Sequence, residues 1–164
     1  MTLAARPASP DDAPILAQIY NEGIEDRVGT FETRPRTVQD VAAWFDGKHP
    51  IIVVESDGEI VAFASTSSYR SRDCYSGIAE FSVYVARRVR GQGAGTVAMR
   101  ALLDAVKPAG IWKLVSRIFV ENHASRRLMA SMGFREVGIY EKHGKLDGQW
   151  RDVVIVERLI PENL

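Results

Sequence analysis

A strand that runs into a glycine-rich turn and leaves it as a helix constrains this chain more than any other feature. Phe81-Ser-Val-Tyr-Val-Ala86 reads as extended backbone, and Arg90-Gly91-Gln92-Gly93-Ala94-Gly95-Thr96 follows it. Behind the glycines, Met99, Leu102, Leu103 and Val106 recur at helical spacing. The first N–H groups of a helix have no intrahelical partner, so they point into the turn, where the helix dipole favours negative charge. A phosphate-bearing ligand fits such a turn. A nucleoside-triphosphate loop would need a lysine after the glycines, and here Thr96 is followed by Val97. A dinucleotide fingerprint would need Gly-x-Gly-x-x-Gly, and Gly91, Gly93 and Gly95 have the wrong final spacing. A tight strand-to-helix turn without a ligand remains the plain alternative.

The rest of the chain falls into elements around this turn. Residues 3–8 read as a first strand, and Ser9 caps a helix with Pro10 in its first turn. Ile15, Leu16, Ile19, Tyr20 and Ile24 form that helix's apolar face to about residue 26. A polar loop leads to a second helix capped at Thr37, with Val38, Val41, Trp44 and Phe45 as its buried stripe. Residues 51–55 and 60–65, joined at Asp57-Gly58, read as a hairpin, and 78–86 as a fourth strand. The helix after the glycines ends by Gly110, 114–120 is a strand, and 122–132 is a helix stopped by a left-handed Gly133. Residues 134–140 and 153–159 close the chain as antiparallel strands. The order β-α-α-β-β-β-α-β-α-β-β predicts a mixed α/β layer of sheet covered by helices, as one domain over residues 1–164.

Composition narrows the partners. Acidic and basic residues balance at 21 each, so no global field recruits nucleic acid or a membrane surface. The single Cys74 rules out an internal disulfide framework, and no apolar run reads as a signal peptide or membrane span. These features predict a cytoplasmic protein. His49, His123 and His143 are too scattered for a metal site, and Cys74 has no evident His and acid partners for covalent catalysis.

Arg90-x-x-Gly93-x-Gly95 after a Val-rich strand resembles the pyrophosphate loop of the GNAT acyl-CoA-dependent acetyltransferases. Asn122-His-Ala-Ser125 through Met132-Gly-Phe134 is similar to that family's Asn-x-x-Ser…Gly-Phe element. Tyr20-Asn21, Thr30-Phe31-Glu32-Thr33, Glu80-x-Ser82-Val-Tyr-Val85 and Gly148-x-Trp150-x-Asp152-Val153 resemble its phosphinothricin, methionine sulfoximine and arsinothricin N-acetyltransferase branch. The resemblance implies the GNAT fold, a mostly antiparallel central sheet flanked by helices. It also implies acetyl-CoA as co-substrate, no metal, and acetylation of the α-amino group of a toxic glutamate-like amino acid, hence detoxification and resistance. It suggests a homodimer.

That reaction needs a neutral amine, donors aimed at the thioester oxygen, and reactants held in line. The resemblance places a carboxylate general base at Glu80, which otherwise reads as a solvated strand-end acid. It assigns acetyl-CoA to Val83, Tyr84, Val85, the turn Arg90, Gly91, Gln92, Gly93, Ala94, Gly95 and Thr96, and to Asn122 and Ser125. Valine side chains there also read simply as core. Arg70 and Arg72, whose planar forks match carboxylate, phosphinate or arsonate oxygens, are expected beside the substrate with Tyr75 and Glu80. Solvated charge is the alternative. Phe31 is expected as an apolar substrate wall or a loop anchor, and His143, Lys145 and Trp150 as substrate-side or dimer residues of the closing hairpin, with core the simplest reading of Trp150. One departure stands out: many members carry Tyr or His where this chain has Met129, which cannot protonate a leaving thiolate. Tyr84 and Tyr140 are the candidate substitutes. The rival readings are acetylation of protein N-termini or of other amines such as polyamines, and a catalytically silent acyl-CoA-binding module.

Overall fold

The computed structural model describes residues 2–164. Among these are seven strands and four α-helices: β1 (Leu3–Pro7), α1 (Ala13–Asp26), α2 (Val38–Ala42), β2 (Ile51–Ser56), β3 (Glu59–Ser68), β4 (Ile78–Val85), α3 (Ala94–Ala105), β5 (Lys113–Phe119), α4 (His123–Ser131), β6 (Arg135–Leu146) and β7 (Gln149–Leu159). The strands form one sheet in the order β1-β2-β3-β4-β5-β7-β6. Every neighbouring pair is antiparallel except β4 and β5. The element order is the one the apolar periodicities predict.

The middle of the sheet is dry on both faces, so β2 and β3 read as unbroken apolar runs rather than alternating ones. Residues 51–54 and 61–64 are all buried, with Phe63 fully enclosed. Helix α3 covers this region with Ala98, Met99 and Leu102, and α1 contributes Leu16, Ala17 and Ile19. At the chain's start, Arg6 donates to both carboxylate oxygens of Asp12, at 2.9 and 3.0 Å, and to Glu55 at 2.9 Å. This joins β1 to the entry of α1 and to β2.

Three expectations need correction. Ile15 and Val38, assigned to buried stripes, are exposed. At about 100° per residue, Leu16 and Ile19 face the sheet and Ile15 falls outside that arc. Helix α2 ends at Ala42 with only Val41 buried, and the half-buried Trp44 and Phe45 come from the irregular segment beyond it. The closing strands extend well past 134–140 and 153–159, to a turn at Asp147-Gly148 with φ of 53° and 78°. Asp-Gly suits the left-handed pair that a two-residue hairpin requires. That extension carries Trp150 beyond the covered sheet, so it is 56% exposed rather than core. Lys145 Nζ lies 4.7 Å from its ring centroid.

The site is positioned by a parting in the sheet. Strands β4 and β5 pair only over Ile78↔Lys113, Ala79↔Leu114 and Glu80↔Val115. Beyond that, β4 stays with β3 to Val85 and β5 stays with β7 to Phe119. The Ser116 hydroxyl donates to the Phe81 carbonyl at 2.9 Å where the strands separate. A wedge therefore opens between their C-terminal ends, leaving one edge of β4 from 81 to 85 without a strand partner. Among the described residues no helix is long and apolar enough to cross a membrane.

Candidate active site

One side of the wedge is a groove along the glycine turn. Gly91 and Gly93 hold φ of 77° and 92°, a region that side-chain-bearing residues rarely adopt, and Gly93 is the N-cap of α3. The first intrahelical bond runs from the Val97 N–H to the Gly93 carbonyl at 3.2 Å, so the N–H groups of residues 94–96 are left for a ligand. Gly95 lies under α4, and a Cβ there would stand 3.2 Å from Leu128 Cδ2. Val83, Tyr84, Val85, Thr96, Asn122 and Ser125 also line the groove. Ala94 is buried as the anchor of the helix start, and Gln92 is exposed on the turn. Arg90 also lines the groove, with its guanidinium engaged by Asp26 at 2.6 Å and by the Val85 carbonyl at 3.3 Å. Hydrogen bonds from Arg87 and then Arg90 hold the Asp26 carboxyl down at about 2. Asn122 caps α4 by accepting the Ser125 N–H at 3.2 Å, and donates to the Val28 carbonyl at 3.0 Å. It thereby joins both walls of the groove.

The wedge itself is lined by Ser82, Val83, Tyr84, Ser116, Phe119 and the 1%-exposed Met129, among others. A thioether at its floor offers no proton to a leaving group. Tyr84 lies where groove and wedge meet. Burial pushes its phenol well above the ordinary tyrosine value, so it stays neutral and can donate a hydrogen bond. Handing its proton to a thiolate with a pKa of about 8.5 would be uphill.

On the other side lies an open cleft of about 530 Å³. Glu80 faces it, 36% exposed, with its carboxylate 3.6 Å from the Arg117 guanidinium. Arg70 lines the same cleft, its guanidinium 4.9 Å over the Tyr69 ring. Lys113 also lines it but is paired with Glu157 at 3.0 Å. His143 and Tyr140 bound the cleft, with ring centroids 4.8 Å apart. A second recess beside Arg117 holds Phe31, Glu32, His143 and Lys145. Phe31 meets Phe119 edge to face at 5.0 Å, and Gly144 admits it, since a Cβ there would stand 2.9 Å from the ring. Phe31 is thus both loop anchor and wall. Asn21 fixes its loop by bonding both backbone groups of Arg36, at 2.8 and 3.0 Å.

The structure thus brings Glu80, Arg70 and Phe31 around the wedge. Arg72 is exposed at the start of a short turn and does not line the cleft, and Tyr75 packs on Tyr69 behind it. Arg117, Ser82 and Ser116 went unassigned on sequence. The visible signal was an arginine inside the apolar strand Leu114-Val-Ser-Arg-Ile-Phe119. No group of three or more His, Cys, Asp or Glu among the described residues could hold a metal ion.

The chain is similar to known proteins over nearly its whole length. Residues 16–134 match the acetyltransferase (GNAT) family. The phosphinothricin N-acetyltransferase of Streptomyces coelicolor is 32% identical over 93% of this chain and 94% of its own. The L-methionine sulfoximine/L-methionine sulfone acetyltransferase of Pseudomonas paraeruginosa is 29% identical over 96% of this chain and 94% of its own. Among solved structures, yncA from Salmonella typhimurium, determined with its cofactor acetyl-CoA, matches with a TM-score of 0.92 and 26% identity. That match covers 98% of this chain and 95% of the other. The chain belongs to the acetyltransferase (GNAT) family and is an N-acetyltransferase, with the fold the sequence motifs implied.

Proposed function

We propose that this enzyme transfers acetyl from acetyl-CoA to the α-amino group of a glutamate-like amino acid with a second anionic or oxidised head group. Phosphinothricin, methionine sulfoximine and arsinothricin are the substrates to test, and detoxification in the cytoplasm is the role. The observation that carries this reading is the wedge, which joins a phosphate-suited groove to a cleft holding Glu80 among basic groups.

In this reading the N–H groups of the glycine turn hold the pyrophosphate, and the unpaired edge of β4 receives the amide-bearing arm. The thioester then lies in the wedge, and Glu80, directly or through water, takes the proton from the incoming ammonium. The amine nitrogen forms its bond to the acetyl carbon as the carbon–sulfur bond breaks, its second proton passing to the departing sulfur or to solvent, with no acyl-enzyme. The thiolate needs little help, because a thiol with a pKa of about 8.5 is a fair leaving group.

An acetylation assay tests this, reading thiol release with the three toxic amino acids, glutamate, a polyamine and a peptide N-terminus. Turnover confined to the amino acids with an anionic or oxidised head group is expected. Preference for the polyamine or the peptide would overturn the reading.

A homodimer is part of the proposal. Strand β6 is a sheet edge presenting Val137, Ile139 and Tyr140 to solvent, and such an edge calls for cover. Sedimentation at micromolar concentration should show twice the 18.2 kDa chain mass; a monomer throughout would refute it.

A further inference from the structure

Among the described residues, Arg117 is the one that lines the wedge, the Glu80 cleft and the Phe31 recess together. Its side chain makes no hydrogen bond to another described residue, and its only ion pair, with Glu80 at 3.6 Å, is a loose contact. The other basic side chains nearby are more engaged. Lys113 is held by Glu157 at 3.0 Å, Arg70 lies on Tyr69, and Lys145 lies on Trp150. A planar fork with its donors unused, beside the candidate base and at the mouth of the wedge, is placed for an anion close to the reacting nitrogen.

We infer that Arg117 receives the α-carboxylate of the amino-acid substrate and so selects α-amino acids over plain amines. The inference rests on the proposed function above. In an α-amino acid the carboxylate carbon is two bonds from the nitrogen. A nitrogen near Glu80 and the wedge therefore places its carboxylate beside Arg117. The head group at the far end of the side chain then extends into the cleft, toward Arg70. Binding exchanges a loose contact with Glu80 for a two-point hydrogen-bonded pair. The carboxylate of Glu80 is left facing the ammonium. Arg117 is thus a substrate-binding, specificity-determining residue, and Arg70 serves the head group.

The test compares L-methionine sulfone with its carboxamide, which keeps the amine and head group but removes the carboxylate charge. The parent enzyme should prefer the acid by about ten- to a hundredfold in kcat/KM, the range of a charge-assisted pair. In Arg117→Gln that preference should shrink to within about threefold, mostly through KM, while the KM for acetyl-CoA holds. Arg117→Lys should retain part of the preference, since a point charge replaces a fork. An unchanged acid-over-amide preference in Arg117→Gln would overturn the inference and leave the proposed function standing. If the parent acetylates neither compound nor any other amino acid with an anionic or oxidised head group, the proposed function falls and this inference with it.

Discussion

The groove and the cleft meet at the same parting of strands, but they are built from different materials. The groove is backbone: left-handed glycines, a helix start, and an unpaired strand edge, mostly within one stretch from 83 to 96. The cleft is side chain: Arg70 before β4, Glu80 on β4, Arg117 on β5 and His143 on β6. A backbone site can serve the part of a ligand that never changes, because peptide N–H groups are independent of side-chain identity. A side-chain site can be retuned one residue at a time. In the proposed reaction the constant donor and the selected acceptor therefore fall on opposite sides of the wedge.

The largest effect should come from the cleft. Glu80→Gln keeps shape and hydrogen bonding but cannot accept a proton near neutral pH. Turnover should fall by about 10²–10⁴-fold, as for loss of a general base, with acetyl-CoA affinity unchanged by titration calorimetry. Rates within about threefold of the parent from pH 6 to 9 would assign the proton transfer to another group or to solvent.

Next comes the groove. Gly93 holds φ of 92°, and a Cβ added there would meet no atom within 4 Å, so space is available but the conformation is not. Gly93→Val forces a β-branched residue into a region that costs about 1–3 kcal/mol. The N–H groups of residues 94–96 would lose their aim. Acetyl-CoA should bind at least about tenfold more weakly. Parental affinity would remove the phosphates from the turn.

The same contrast explains what could be read from the sequence. Strand and helix periodicities and the Arg90–Thr96 turn are local patterns, so the element order and the groove were legible. Ile15 and Val38 misled because a stripe drawn from apolar residues alone does not say which arc meets the sheet. The closing strands are expected from their apolar residues, but their extension to the turn is not, although Asp147-Gly148 is a turn signal. Trp150 was consequently assigned to a core that does not extend that far. The cleft was half legible. Arg70 was reached through resemblance, whereas Arg117 depends on β5 parting from β4, a tertiary event that no local spacing records.

Asn122 offers a smaller test, because here a side chain holds a backbone-built groove together. Asn122→Ala removes the cap on Ser125 N–H and the tie to Val28. Loss of such a cap typically costs about 1 kcal/mol. In a domain of this size that lowers Tm by about 2–4 °C. Acetyl-CoA affinity should drop in parallel, and Asn122→Asp, which preserves the acceptor, should restore most of the Tm. An unchanged Tm would show that α4 is held by packing alone.

The smallest effect asks whether any side-chain charge takes part in the groove at all. Arg90 spends its guanidinium on Asp26, whose carboxyl is held at about 2 by Arg87 and Arg90. The folded value lies below the ordinary aspartate value of about 3.9. The pair therefore contributes its full stabilisation above about pH 4 and loses it as the pH falls toward 2. Asp26→Asn should flatten the acid side of the stability profile in that window, and salt should weaken the parent's dependence because the pair is near solvent. At neutral pH the variant should bind acetyl-CoA within about threefold of the parent, since a surface pair of this kind only braces the turn. A tenfold loss, or a gain from releasing Arg90 toward the phosphates, would show that the guanidinium belongs to the binding site. The groove would then be no more a backbone site than the cleft.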